Sequence, residues 1–319
     1  MAIAFLFPGQ GSQAVGMGKE LARAHASARA VFEEVDAALD QKLSELMFAG
    51  PLEALTLTEN TQPALMAVSL AVVRVLEAEH GFRLAAKVGF VAGHSLGEYS
   101  ALAAAGALSL ADAARLLKTR GRAMQAAVPL GQGAMAALLG VGKDVAERLA
   151  AAAADGEVCQ LANDNEDGQA VISGAASAIA RAAGLAKSYG VRRFVPLNVS
   201  APFHSALMQP AAAAMAEALA RIALRAPSVP LMANVLAAPI TDPDEIKRRL
   251  VEQVVGTVRW RETVAAMAAG GVTQVYEIGP GRVLAGLARR IVPSLAATSI
   301  GSPEEIAAAA GSLAGIPDA

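Results

Sequence analysis

The residues able to do chemistry in this chain are few, and they stand among small and apolar neighbours. Gly93-His94-Ser95-Leu96-Gly97 fits the pattern G-x-S-x-G, with an apolar run at 88–92 before it and a helical stretch at 98–105 after it. Strand, tight turn and helix form the context of a nucleophile elbow. The turn lifts a serine hydroxyl clear of the backbone, small glycines let strand and helix approach, and the Leu96 backbone N–H faces a developing oxyanion. The competing reading is a plain strand-to-helix turn in which the glycines are steric and the serine caps the helix.

A serine needs a base to take its proton, and the chain offers His25, His80, His94 and His204. Neighbouring side chains diverge at an elbow, so His94 is badly placed for Ser95. His25 and His80 fall in polar helical or helix-end stretches and are expected to face solvent. His204, in Ser200-Ala201-Pro202-Phe203-His204-Ser205, sits in a loop where the chain rejoins its main sheet. Loops on a rigid scaffold commonly carry catalytic groups, and His204 is the best base available. A structural histidine is its alternative. The acids Asp112, Asp164 and Asp167 do not fall near a strand end, so a backbone or amide carbonyl is left to orient the imidazole.

In the helical stretch 111–127, Arg115, Lys118 and Arg122 share one face, whereas Arg120 lies with Leu116, Leu117 and Met124. An arginine in an apolar stripe requires an anionic partner. Either an internal Asp or Glu serves, the commoner case, or a substrate carboxylate is gripped by the guanidinium fork.

The elements that must hold these groups read as α/β. Apolar strands at 3–7, 88–92 and 274–278 each precede a Gly-containing turn, which predicts a parallel sheet with the turns at the carboxyl ends of its strands, where ligands bind. A helix is expected to start at Pro63, carrying Leu65, Val68, Val72 and Leu76 on one face. Strand at 134–141, helix at 143–154, strands at 157–162 and 170–173 around a loop at 163–169, helix at 177–189 and strand at 192–197 follow the order β-α-β-β-α-β, a ferredoxin-like signature. This places a small subdomain at 128–198 inside a large one formed by 1–127 and 199–319. The Ala-rich tail after Glu305 reads as a last helix or a frayed end.

Composition narrows the partners. With 27 Lys and Arg against 29 Asp and Glu, the net charge of −2 provides no basic field for nucleic acid. The single cysteine, Cys159, allows no intramolecular disulfide and no thiolate metal cluster, and it reads as core. The apolar start lacks a basic leader, and the apolar run at 65–73 is cut by Arg74, short of the ~20 residues that cross a bilayer. A cytoplasmic protein with no membrane or nucleic-acid partner, no metal and no cofactor is expected.

Phe7-Pro8-Gly9-Gln10-Gly11-Ser12-Gln13, Thr61-Gln62-Pro63-Ala64, Gly93-His94-Ser95-Leu96-Gly97, Arg120, Ala201-Pro202-Phe203-His204-Ser205 and Val258-Arg259-Trp260 together resemble the malonyl-CoA:acyl carrier protein transacylase family, in order and spacing, over residues 3 to 290. The resemblance implies a hydrolase-like α/β domain interrupted by a ferredoxin-like one, and transfer of malonyl from malonyl-CoA to the thiol of an acyl carrier protein. It implies Ser95 as acyl-carrying nucleophile, His204 as base, Gln10 and the Leu96 backbone as oxyanion site, and Gln253 as the residue whose main-chain carbonyl orients the histidine. Arg120 matches the family's arginine for the free malonyl carboxylate, and Gln62, Met124, Asn163 and Phe203 match further pocket positions. Two departures stand out: Asp167 where a proline is common, and Ala-Pro-Phe rather than Gly-Ala-Phe before His204.

Other readings fit less well. A serine esterase shares Ser95 and His204 but leaves Arg120 without a purpose. A dinucleotide site built on Gly9-x-Gly11-x-x-Ala14 needs an acid at the end of a second strand, and Glu33 and Glu34 fall in a helical stretch instead. Lys187, Arg192 and Arg193 form either a solvated face or a docking patch for an acidic carrier.

Overall fold

Two sheets divide the work. The computed structural model describes residues 2–199 and 201–316, so Ser200 of the loop before His204 lies outside the described residues. Strands β1 (Ala2–Phe7), β2 (Val88–Gly93), β7 (Leu231–Ala233), β8 (Ala238–Ile240), β9 (Val272–Ile278) and β10 (Ala296–Ile300) form the main sheet in the order β10-β9-β1-β2-β7-β8. Strands β3 (Gly133–Leu139), β4 (Cys159–Glu166), β5 (Gln169–Ala175) and β6 (Arg193–Pro196) form the second, in the order β4-β5-β3-β6. The main sheet is parallel except for β8, which pairs antiparallel with β7.

The main sheet is buried on both faces, as parallel sheets are. Along β1 the side chains alternate, with Ile3, Phe5 and Phe7 entering one hydrophobic cluster and Ala4 and Leu6 another, around Trp260, Val264 and Leu287. Helix Thr58–His80 crosses the first cluster. Its length and apolarity would suit a membrane span, yet 83% of its most apolar window is buried inside the fold, and it packs as a core helix. It begins five residues before the expected Pro63. Thr61 Oγ1 donates to the Leu55 carbonyl at 2.6 Å and Asn60 Nδ2 to the Ala54 carbonyl at 2.9 Å, and these bonds to the preceding short helix hold the turn ahead of the proline.

In the antiparallel sheet Ala136, Leu138, Ala170 and Ile172 face helices Lys143–Ala154 and Ala176–Leu185, while Met135, Ala137 and Val171 face the main domain. The strand order is that of a ferredoxin-like unit. A loop does not occupy 163–169, contrary to expectation: β4 runs through Glu166 and only Asp167 and Gly168 turn. The cause is pairing on both sides. Asp164 N–H donates to the Val258 carbonyl at 3.0 Å and Val258 N–H to the Ala162 carbonyl at 2.8 Å, which carries β4 onto the main domain. Arg261 adds an ion pair to the buried Asp164 at 3.0 Å.

Glycines set the closest approach. A Cβ on Gly93 would lie 1.9 Å from the Gly97 carbonyl carbon, and one on Gly97 would lie 2.3 Å from the Phe7 carbonyl oxygen. Neither contact can be relieved by rotating a side chain. Overpacking ordinarily costs about 1–3 kcal/mol, so Gly93→Ala is expected to destabilise by about 3 kcal/mol or more. Gly184, in helix Ala176–Leu185, is the control, because a methyl group added there would meet nothing within 4 Å. Gly184→Ala is expected to be neutral or to stabilise by about 0.5–1 kcal/mol. Urea denaturation midpoints check both.

Candidate active site

Between the two sheets lies a cavity of about 400 Å³. Nine of the ten residues singled out from the sequence line it: Gln10, Gln62, Ser95, Leu96, Arg120, Met124, Asn163, Phe203 and His204. The tenth, Gln253, is fully buried behind it.

Ser95 ends the turn after β2 with a left-handed backbone, φ 54°. A non-glycine residue there typically costs on the order of 1–3 kcal/mol and persists only where its surroundings impose it. Here Ser95 N–H donates to Asn234 Oδ1 at 2.9 Å, Asn234 Nδ2 donates to the Gly93 carbonyl at 2.8 Å, and helix Gly97–Ala104 starts at once. His204 is also left-handed, φ 57°, in a loop held by Ser205 Oγ donating to the Pro202 carbonyl at 2.7 Å.

These two strained residues meet. Ser95 Oγ lies 2.8 Å from His204 Nε2, and His204 Nδ1 lies 2.8 Å from the Gln253 main-chain carbonyl. A carbonyl only accepts, so Nδ1 carries the proton and Nε2 is left to accept from the serine hydroxyl. Burial, then the nearby Arg120 charge, push the imidazole pKa down to about 3 against the pull of the Gln253 carbonyl. The neutral form is thereby secured.

Arg120 is 1% exposed. Its Nη1 donates to Gln62 Oε1 at 2.9 Å, and its Nη2 to Gln253 Oε1 at 2.7 Å and to Ser95 Oγ at 3.0 Å. Its carbon centre sits 5.8 Å from the Tyr99 ring centroid, and its Nε is buried without a hydrogen-bond partner. Among the described residues no carboxylate reaches it at ion-pair distance, so the internal acid that the sequence left open is not a direct partner. Burial lowers its pKa, and Tyr99 and then Glu98 pull it back up. Gln62 also donates to Met124 Sδ at 3.7 Å, which ties two pocket positions to the arginine.

The other titratable candidates lie elsewhere. His94 Nε2 contacts Asn165 Oδ1 at 3.0 Å and Asn163 Nδ2 at 3.3 Å, away from the serine hydroxyl, and its ring sits 5.5 Å from Trp260. His80 is exposed, as expected, whereas His25 is only partly so: its side chain is 17% exposed and lies 2.7 Å from Glu79 at the end of helix Thr58–His80. Asp112 caps a helix with Ser109, Asp164 accepts from Arg261, and Asp167 is exposed. Cys159 is half-buried and its thiol is pushed up to about 11 by burial.

Two residues of this site escaped the sequence. Asn234 follows the three-residue β7, too short to show alternation. Glu98 reads as an ordinary acid in the first turn of a helix, yet it is 1% exposed. Its one available signal was an acid opening an otherwise apolar helix.

The model of the acyl transferase domain matches residues 4–310. The chain belongs to the acyl transferase family. Among relatives of this acyl transferase, the malonyl CoA-acyl carrier protein transacylase of Bacillus subtilis strain 168 is 47% identical over 305 residues, 95% of each chain. That of Escherichia coli K12 is 45% identical over 306 residues, 96% of this chain and 98% of its own. Among solved structures, the acyl-carrier-protein-S-malonyltransferase of Bartonella henselae is 56% identical with a TM-score of 0.96, covering 98% of this acyl transferase and 100% of the other. A malonyl-transacylase solved in complex with a type II PKS acyl-carrier protein is 41% identical, with a TM-score of 0.94, over 98% of this chain and 100% of its own.

The depressed His204 pKa sets a pH expectation. An imidazole titrating near the ordinary ~6.5 would lose about tenfold in neutral form by pH 5.5. Labelling of Ser95 by a fluorophosphonate probe is instead expected to change less than about threefold between pH 7.5 and 5.5. Stability moves the other way. The unfolded chain binds a proton at His204 below ~6.5 and the folded one does not, so this residue destabilises the fold as pH falls. A labelling midpoint near 6.5 would contradict the assignment.

Proposed function

We propose that this acyltransferase moves malonyl from malonyl-CoA to the phosphopantetheine thiol of an acyl carrier protein by way of a malonyl ester on Ser95. The observation that carries the reading is Ser95 Oγ held between the neutral imidazole of His204 and the buried Arg120. A base and a fixed cation on one hydroxyl suit a nucleophile that accepts acyl groups bearing a carboxylate.

In the first half-reaction His204 Nε2 takes the Ser95 proton as Oγ attacks the thioester carbonyl. The oxyanion meets the Leu96 N–H and the Gln10 amide. Collapse breaks the C–S bond, and the CoA sulfur leaves with the proton from His204. In the second, the carrier thiol gives its proton to His204 and attacks the ester, and Ser95 Oγ departs and takes that proton back. The Gln253 carbonyl holds the imidazole in the required tautomer throughout. Arg120 receives the malonyl carboxylate on its Nη2 and unpartnered Nε, while Met124, Asn163 and Phe203 shape the remaining space. The antiparallel unit at 128–198 acts as a subdomain closing over the large one, 1–127 and 199–319. A cytoplasmic setting follows the reading, as does the absence of cofactor, metal, nucleic acid or membrane from the reaction.

Intact-mass analysis after mixing with malonyl-CoA tests the intermediate. A malonyl adduct is expected on the native chain, removed by carrier protein, and none on Ser95→Ala; malonyl exchange by the alanine variant at a comparable rate would reassign the nucleophile.

Selectivity follows from Arg120. An acetyl group leaves the guanidinium unpaired, and truncating one partner of a buried charge pair costs about 2–5 kcal/mol, tens to thousands-fold. Arg120→Ala is expected to lower kcat/KM for malonyl-CoA by that factor and to leave acetyl transfer unchanged or raised. An unaltered malonyl-to-acetyl ratio would refute the role.

Carrier docking is open to the same kinetics. Lys187, Arg192 and Arg193 are exposed. Reversing both arginines to glutamate is expected to slow transfer to carrier and flatten its salt dependence while sparing acylation by malonyl-CoA. Equal loss in both half-reactions would count against docking there.

A further inference from the structure

The residue that orients His204 offers only a neutral carbonyl, yet a buried carboxylate lies one bond further back. Glu98 Oε1 accepts from the Asn234 backbone N–H at 2.7 Å, and its Oε2 accepts from the Gln253 side-chain amide. Asn234 Oδ1 in turn holds the Ser95 N–H, and Gln253 supplies the carbonyl that holds His204 Nδ1. Both halves of the serine–histidine pair are therefore tied to the two oxygens of one side chain. The same Gln253 amide also donates to the Ser95 carbonyl at 2.8 Å, while its oxygen accepts from Arg120 at 2.7 Å.

We propose that Glu98 is a positioning residue: its carboxylate sets the register of Ser95 through Asn234 and of His204 through Gln253, and fixes which way the Gln253 amide points, so that its oxygen is kept for Arg120. The inference rests on the Ser95 acyl-transfer reading above. An amide between a carboxylate and a guanidinium has one satisfactory orientation, because the carboxylate only accepts and the guanidinium only donates. Remove the acceptor-only group and that orientation is lost. A donor placed at 98 is satisfied only by turning Gln253, which would set an NH2 against Arg120 Nη2 and release the serine and the arginine together. Burial is the largest influence on Glu98 and leaves it pushed up to about 8 even against the Asn234 and Gln253 donors and Arg120, yet each of its oxygens faces an N–H donor, the arrangement that the ionised, acceptor-only form requires. A carboxylate retained there at 1% exposure has only these partners to justify it.

Glu98→Gln keeps the shape and replaces one acceptor with a donor. The expected result is a folded protein whose single-turnover malonylation of Ser95 slows at least ~100-fold while KM for malonyl-CoA stays level or falls, because the arginine keeps its charge and loses its nearest counter-charge. A general loss of structure would instead lower the melting temperature and raise KM. Gln253→Met removes the relaying amide but leaves the main-chain carbonyl and the Asn234 arm, so the double variant is expected to lose clearly less than the product of the two single losses. Independent, multiplying losses would overturn the relay. So would a folded Glu98→Gln protein with kcat within about threefold of the parent. Should Glu98→Gln not fold, Glu98→Asp decides the matter: one methylene shorter, it cannot reach both donors, so at least a ~10-fold slowing is expected and the parental rate would refute the proposal. Every variant is compared with the parent and with Ser95→Ala. A parent chain that forms no adduct at Ser95 would defeat the acyl-transfer reading itself, a result distinct from any of these.

Discussion

A positive charge that cannot reach water is the constraint around which the site is arranged. Arg120 has no carboxylate at ion-pair distance among the described residues, and an unpaired buried charge is among the most expensive things a fold can hold. It is tolerated through neutral acceptors, with Gln62 on one side, Gln253 and the Ser95 hydroxyl on the other and the Tyr99 ring near its carbon centre. Direct pairing with Glu98 would satisfy the charge, but the Gln253 side-chain amide lies between the two. The resting molecule keeps acid and base separated by one amide.

That separation also accounts for the missing acid beside His204. A carboxylate on Nδ1 would raise the imidazole pKa and draw the neighbouring guanidinium toward itself. The Gln253 carbonyl fixes the tautomer without adding charge, and the imidazole stays neutral beside a cation. Strain is concentrated at the same place. Of the two left-handed residues that meet, Ser95 is pinned by Asn234, remote in sequence, and His204 by the Ser205–Pro202 bond within its own loop.

Much of this was legible in the residues. Ser95, His204 and Arg120 declared themselves by local context: a strand before and a helix after, a loop on the return to the main sheet, a cation among leucines. The parallel sheet and the ferredoxin-like insert followed from strand order. What stayed hidden depended on partners remote in sequence. Strands β7, β8 and β10 run three to five residues and carry too little alternation to be seen. Asn163 was read into a loop because nothing local announces that β4 pairs with Val258. Glu98 and Asn234 become meaningful only when positions more than 130 residues apart are brought together. Distance in the chain, not subtlety of chemistry, set the limit.

The antiparallel sheet turns one face away from helices Lys143–Ala154 and Ala176–Leu185, and that face, with Met135, Ala137 and Val171, is a wall of the cavity. Ser95, Arg120, His204 and Gln253 all come from the chain on either side of it. On the proposed reading the reacting groups are thus encoded outside the stretch 128–198, whereas the pocket wall draws on both parts, with Gln62, Met124 and Phe203 from outside it and Met135, Ala137, Asn163 and Val171 from within. Such an arrangement is a partial cassette. On the proposed reading the shape of the pocket can drift within that stretch, while the reacting groups, the Arg120 charge and the glycines that let them meet are inherited untouched.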